Sequence, residues 1–308
     1  MTNAFRDRHN PLNAIVPFAS AVSFWEPQAT PSSSWTEHAP FAFWLVEALK
    51  PRSIVELGVH HGFSYFAMCQ AVRALALDTR CFGVDRWTGD EQAGFYGDDV
   101  YQAVCRHNRR YAGFSTLIRS DFAAAGARLA DGSIDLLHID GFHSYAAVRH
   151  DFETWRPKLS RRGVVLFHDT AEFRPGFGVH RLWAELSVRH PHFAFTHGHG
   201  LGVLGIGDDI PDSLRTLFDA DPACADDVRR FYQRLGLAQR AREFDLRVRA
   251  LEQAVAGYQA SASWKVTAPL RSVKRLIRSA LGLADALRGS EVLSDEIVQP
   301  LYRPQSNR

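Results

Sequence analysis

The sequence predicts an α/β protein with a seven-stranded sheet, five parallel strands followed by a C-terminal β-hairpin, and a helical extension beyond it. Three observations carry this. Apolar β-rich runs alternate with helix-spaced runs from residue 53 to about 190, the pattern of a parallel sheet covered on both faces. His192-Phe193-Ala194-Phe195-Thr196 and Leu201-Gly202-Val203-Leu204-Gly205-Ile206 are then separated only by His197-Gly198-His199-Gly200, which permits only an antiparallel hairpin. After Asp209 the chain turns charged and helical.

Whole-chain quantities bound the answer. With 308 residues and a 46% apolar share, the chain has material for one large domain with an appendage. Cys69, Cys81, Cys105 and Cys224 show no CxxC spacing and are too sparse for a disulfide scaffold, so a reducing cytoplasm is expected. The first residues lack an apolar signal-like run, and no stretch approaches the roughly 18 apolar residues of a membrane span. Charge is uneven: residues 225–288 hold thirteen Lys/Arg against six Asp/Glu, and the remainder 23 against 28. A mildly acidic domain carrying a basic appendage is implied. No nucleic-acid partner is expected.

Taken in order, residues 1–35 carry Pro11, Pro17, Pro27 and Pro31 and the run Ser32-Ser33-Ser34, and read as an irregular N-terminal cover over the site. Thr36 is placed to cap a helix whose buried face is Phe41, Trp44, Leu45 and Leu49 and which Pro51 ends. Strands are expected at 53–59, 80–87, 115–121, 134–140 and 163–169, with helices at 62–77, about 96–112, a short one after 121, 144–159 and about 177–190. The domain is set at 36–209. A helical extension at 210–260 contains Leu237, Ala241, Phe244, Val248, Leu251, Val255 and Tyr258 at alternating gaps of four and three, a short heptad seam suited either to docking or to a homo-oligomer. In 261–308, Val273, Ile277, Leu281 and Ala284 oppose Arg271, Lys274, Arg275 and Arg278. That is a basic amphipathic helix suited to peripheral contact with an anionic membrane or to solvent, ahead of a disordered tail.

The first strand runs into Val55-Glu56-Leu57-Gly58-Val59-His60-His61-Gly62-Phe63-Ser64, a strand, glycine turn and helix start. Gly58 and Gly62 let backbone approach a ligand, and the helix from Ser64 onward offers free N–H groups and a positive dipole end. Glu56 needs hydrogen bonds from backbone, water or a cationic ligand, or from its own fold. Asp85 ends the second strand where an acid holds a ribose diol, a geometry shared by dinucleotides and S-adenosylmethionine. His60 and His61 stand where a GxGxxG loop needs glycine beside pyrophosphate, which disfavours a dinucleotide. Asp121 can read an adenine edge or cap the helix that follows.

The densest polar cluster is His138-Ile139-Asp140-Gly141-Phe142-His143-Ser144-Tyr145 with His168-Asp169-Thr170, at the ends of two consecutive parallel strands. Ligands bind outside the carboxyl ends of such strands, so these groups converge beside the cradle. Asp140 and Asp169, with His168 as a third ligand, can hold a divalent cation, and His143 can take a hydroxyl proton. The bland reading is that the acids cap turns and the histidines bond backbone. His138, inside an apolar strand, reads as a satisfied core residue.

These segments, with Val84-Asp85-Arg86-Trp87-Thr88-Gly89-Asp90, resemble the class I S-adenosylmethionine-dependent methyltransferases of the Methyltransf_24 type, related to macrocin and sugar O-methyltransferases, over about residues 40–207. The resemblance implies a Rossmann-like sheet with Glu56 and Gly58 at the methionine end, Asp85 on the ribose hydroxyls and Trp87 near the adenine. It also implies a Mg²⁺ site in which Asp140 and Asp169 match, while His168 replaces the first of an Asp-Asp pair. Ser263 to Arg271 resembles a stretch in bacterial proteins of surface polysaccharide assembly.

The expected function is therefore S-adenosylmethionine-dependent O-methylation of a sugar hydroxyl on a glycan or glycosylated metabolite, assisted by a divalent cation. Two rivals stand beside it: a non-catalytic Rossmann-like module tethering a polysaccharide assembly complex, and a nicotinamide-dependent oxidoreductase.

Overall fold

The computed structural model describes residues 15–274 and 276–278. The chain divides into two compact units, Met1–Phe244 and Asp245–Arg308.

In the first unit, seven strands form one sheet: β1 (Ser53–Leu57), β2 (Arg80–Asp85), β5 (Ser115–Arg119), β6 (Ile134–Ile139), β7 (Leu159–His168), β8 (His192–Phe195) and β9 (Leu201–Gly205). Their order is β5-β2-β1-β6-β7-β9-β8; the first five are parallel, and β9 and β8 each add antiparallel. The predicted fold class is what is found. A two-stranded hairpin, β3 (Gly89–Asp90) with β4 (Gly94–Phe95), was not anticipated because its strands are too short to show a period of two.

Alternation along the central strands sorts the core into two layers. Ile54, Leu136, Val164 and Leu166 face α1 (Ala39–Leu49) and α2 (Phe63–Ala74), whereas Val55, Leu57, Leu137, Ile139, Val165 and Phe167 face α5 (Tyr145–Trp155) and α6 (Val179–Ser187). By the same alternation Glu56, His138 and His168 fall on the α1/α2 side, all buried. Fully burying one such large apolar side chain is worth about 1.5–3 kcal/mol, and β1, β6 and β7 are buried on both faces.

The remaining elements are α3 (Asp98–Asn108), α4 (Phe122–Gly126), α7 (Asp212–Phe218), the long α8 (Pro222–Ala260) and α9 (Ala262–Val266). Tyr232 of α8 is buried against Phe41 and Phe195, and its hydroxyl donates to the Phe18 carbonyl at 2.5 Å. The N-terminal residues from 15 on make two short 3-10 turns whose Phe18 and Val22 join this core; of that segment only Ser32, Ser33 and Ser34 reach the pocket described below.

Several boundaries differ from expectation. Thr36 caps no helix: Ser33 accepts from the Trp35 amide and starts a 3-10 turn at Ser34–His38, and α1 follows with Pro40 in its first turn. The Thr36 hydroxyl instead donates to the Glu243 carboxylate at 2.8 Å. Helix α5 stops at Trp155 because Pro157 lacks a donor, and β7 begins at Leu159, before the expected 163.

In the second unit the described residues are helical and largely exposed, including Val248, Leu251, Val255 and Tyr258 of the heptad seam and Val273 and Ile277 of the basic helix. Arg275, Leu281 and Ala284 lie outside the described residues. Among the described residues no helix is long and apolar enough to cross a membrane.

Candidate active site

The carboxyl ends of β1, β2, β6 and β7 and the residues after β5 open on one pocket of about 680 Å³, within the size range of small-molecule sites. Left-handed backbone shapes its floor. Gly58 has φ +92°, and a Cβ there would stand 2.0 Å from the Asp140 carbonyl oxygen. That glycine is demanded by the approach of β6 to β1, and it lines the pocket as a consequence. Gly62, at φ +85°, has the Phe66 ring where a side chain would go. Both glycines line the pocket, and the space a side chain would take at each is filled by the protein's own Asp140 and Phe66. Three non-glycine residues at strand ends, His60, Trp87 and Asp169, also have positive φ, of 50°, 52° and 60°. Such strain persists only where surrounding bonds over-determine it.

Asp85 supplies those bonds at the cradle. One carboxylate oxygen accepts the His60 amide at 2.8 Å and the other the Trp87 amide at 2.7 Å. The Trp87 indole N–H donates to the His60 carbonyl at 3.0 Å. Asp85 lines the pocket with lone pairs to spare. Trp87 does not; its fully buried ring lies beneath the loop, so the implied position near an adenine is not where it stands.

Glu56 is likewise one layer below. It accepts from the Ser64 hydroxyl at 2.8 Å and pairs with His138 Nδ1 at 3.0 Å. The Trp35 indole N–H donates to His138 Nε2 at 3.2 Å, which puts the His138 proton on Nδ1, pointing at Glu56. Burial pushes the Glu56 carboxyl up, against the pull of His138 and Ser64. Of this chain only Ser64 reaches the pocket, so Glu56 is met by its own fold and does not line a methionine end. Asp121 is the cap of α4, one oxygen accepting the Ala124 amide at 2.8 Å, and the residue also lines the pocket.

The reactive cluster sits at the ends of β6 and β7. His143 Nε2 lies 2.8 Å from Asp169 Oδ2 and 3.5 Å from Asp140 Oδ1. His168 Nδ1 lies 3.3 Å from Asp140 Oδ1 and 3.5 Å from Asp169 Oδ2, and its Nε2 donates to the Gly198 carbonyl at 3.1 Å. Burial opposes charge on both imidazoles, but the two carboxylates override it and raise His143 to about 9 and His168 to about 10. Burial pushes the acids up too, and the facing imidazoles bring Asp140 and Asp169 well below the usual carboxylate range. With Nδ1 turned to Gln92 and Nε2 to the two acids, His143 accepts a hydroxyl proton only once Nε2 has given up its own.

The metal-ligand set also changes. Ligand atoms of Asp140, His143 and Asp169 lie within 4.8 Å of one another, and these three fit a divalent cation. His168 does not belong to that group: buried and tied to Gly198, it stands behind the acids as a donor, the place of a residue that orients ligands.

One residue of the site was not foreseen. Gln92, between β3 and β4, accepts through Oε1 from the His143 backbone N–H and from His143 Nδ1–H, each at 2.9 Å, and its Nε2 donates to the Gly176 carbonyl at 3.2 Å. It fixes the His143 ring with Nε2 toward the acids. The only sequence signal was the pair Gly89 and Gly94 around Asp90, whose carboxylate accepts the Gln92 and Ala93 amides.

Residues 55–170 match the model of Methyltransf_24, a methyltransferase domain. This segment resembles the methyltransferase domain of that family. It runs from within β1 through β7 and thus holds every member of the reactive cluster. A curated relative, the uncharacterised protein y4gI of Sinorhizobium fredii, is 53% identical over 195 residues, which cover 62% of this chain; the match spans only 22% of that protein's length. Among solved structures, the chain is similar to an S-adenosylmethionine-bound O-methyltransferase, TomG of Streptomyces achromogenes (18% identity, 59% of this chain and 83% of that one, TM-score 0.41). It is similar as well to the S-adenosylhomocysteine-bound methyltransferase PaMTH1 of Podospora anserina (15% identity, 58% and 81%, TM-score 0.43).

Proposed function

We propose that the chain is an S-adenosylmethionine-dependent O-methyltransferase acting on a sugar hydroxyl of a glycan or glycosylated metabolite. The observation that carries this is the opening of the Asp140–His143–Asp169 trio onto the same pocket as the Gly58–Gly62 cradle of a methyltransferase domain. When bound, S-adenosylmethionine supplies an electrophilic methyl group. Gly58, Gly62 and Ser64 wall its cradle, Asp85 offers oxygens to hydroxyl donors, and Asp121 lines the same pocket. A divalent cation, held by Asp140, His143 and Asp169, would lower the pKa of an acceptor hydroxyl, and the imidazole in the set favours a softer ion than Mg²⁺. Phe142 lines the pocket, partly exposed, and offers a flat apolar face of the kind a sugar ring packs on, while the Phe177 ring stacks on His143 at 4.9 Å with the Arg174 guanidinium over it at 4.8 Å. Against a dinucleotide, the His60 ring packs on His61 and Tyr96 over the cradle, where a pyrophosphate would need open backbone.

The test is S-adenosylhomocysteine formation by the full chain with nucleotide sugars and glycan extracts, before and after chelation. Turnover that survives both chelation and Asp169→Ala removes the cation, and absence of S-adenosylmethionine binding by calorimetry removes the cofactor.

The second unit supports two further readings. Exposed Val248, Leu251, Val255 and Tyr258 favour self-association, and exposed Val273 and Ile277 beside Arg271, Lys274 and Arg278 favour contact with an anionic membrane. Sedimentation and liposome flotation test these in turn. Cys69, Cys81, Cys105 and Cys224 form no disulfide with one another, which favours a reducing, cytoplasmic location.

A further inference from the structure

Six carboxylates line the pocket, and five are engaged within the chain. Asp85 and Asp90 accept backbone amides, Asp121 caps α4, and Asp140 and Asp169 hold imidazoles. The sixth is Asp151 of α5. It is only 8% exposed, yet it makes no hydrogen bond or ion pair with any described residue. Burial lifts its carboxyl to about 6, with only His150 opposing. A buried carboxyl without a partner is costly and is kept where something outside the chain completes it.

Its surroundings define what that is. Ala147 and Asp151, four residues apart on α5, both face the pocket, and the small alanine leaves the acid accessible. Beside them the Phe122 ring packs on Gly141: a Cβ at Gly141 would stand 2.5 Å from the Phe122 ring and 3.6 Å from Asp151 Oδ2. The wall is thus an aromatic ring and bare backbone with one acidic group at its edge. That is a slot for a flat ring bearing an N–H donor on its rim. Its place in the sheet agrees. Phe122 follows β5, at the sheet edge and four strands from β7, which carries the reactive cluster. A ligand whose reactive end lies at Asp169 and whose diol lies at Asp85 extends its remaining part toward this wall.

We propose that Asp151 is the base-reading residue of the pocket, with its carboxyl oxygen accepting a hydrogen bond from the exocyclic amine of an adenine ring stacked on the Phe122–Gly141 wall. This rests on the cofactor reading above. A second oxygen, when protonated, can donate to the adjacent ring nitrogen, so that acid and base pair at two points.

The test is calorimetry on the full chain with S-adenosylhomocysteine and with S-inosylhomocysteine, in which an oxo group replaces the amine. The wild type binds the adenine ligand about tenfold more tightly, the scale of one buried hydrogen bond. Asp151→Leu loses about tenfold for the adenine ligand and no longer discriminates, whereas Asp151→Asn, which keeps an acceptor oxygen, retains both. Undiminished affinity or undiminished discrimination in Asp151→Leu overturns the assignment while leaving the cofactor in place. A wild type that binds neither ligand overturns the cofactor reading and this one with it. Should Asp151→Leu fail to fold, a wild type that does not discriminate between the two ligands still overturns the assignment.

Discussion

His143 Nε2 lies 2.8 Å from Asp169 Oδ2, and the same ring is held from its far side by Gln92, whose Oε1 accepts from Nδ1–H at 2.9 Å. The imidazole is therefore clamped between a carboxylate it can share with a cation and an amide that leaves Nε2 no other direction.

Replacing Gln92 by alanine frees that ring. Groups that orient a metal-binding or catalytic residue are worth about 10- to 100-fold when removed. Gln92→Ala is expected to lower kcat by that factor, with thermal stability unchanged because the β3–β4 hairpin is largely exposed. Steady-state kinetics beside a melting curve checks both halves; an unchanged kcat sinks the clamp.

The trio predicts a metal-binding pattern that sets His168 apart from the two acids. Calorimetric titration with Mn²⁺ is expected to lose its signal in Asp140→Ala and Asp169→Ala. His168→Gln, which keeps a donor toward the acids, is expected to weaken it only about 10- to 100-fold. Equal loss in all three would place His168 among the ligands.

At Gly58 the expected failure is structural. Gly58→Ala must both hold φ near +92° and displace the Asp140 carbonyl. The backbone strain alone costs about 1–3 kcal/mol. Urea unfolding is expected to show at least that loss, together with loss of S-adenosylhomocysteine binding. A variant of wild-type stability would mean that the ends of β1 and β6 are not in contact.

The opposite end of the sheet also contributes to stability against acid. Asp135 at the start of β6 is fully buried. Burial pushes its carboxyl up, but hydrogen bonds from Arg52 and Ser160 outweigh this, leaving it below 3.8. A depressed carboxylate contributes stability above its unfolded value that is lost as pH falls through its folded value. Asp135→Asn is expected to cost about 1–3 kcal/mol at pH 7, with the difference shrinking below pH 3.8. A difference independent of pH would contradict the charge assignment.

The strand order, the cradle loop and the acids at strand ends were legible in the sequence because each is a local signal: a period of two, a glycine pair, a polar residue closing an apolar run. Asp85, Asp121, Asp140, Asp169 and Ser64 all line the pocket, as their positions at strand and helix ends implied. What the sequence could not settle is which side of a layer a group occupies and who its partner is. Glu56 and Trp87 look like site residues by position, yet Ser64, His138 and the His60 carbonyl draw them beneath the floor. Gln92 and Asp151 lie on a short hairpin and mid-helix, with no local pattern to mark them. They become site residues only because the fold carries them, 51 residues along the chain in one case, to His143, and in the other to an open wall. Proton affinity followed the same division: Asp140 and Asp169 raise that of His143, because a proton's free energy depends on neighbours that only the tertiary structure supplies.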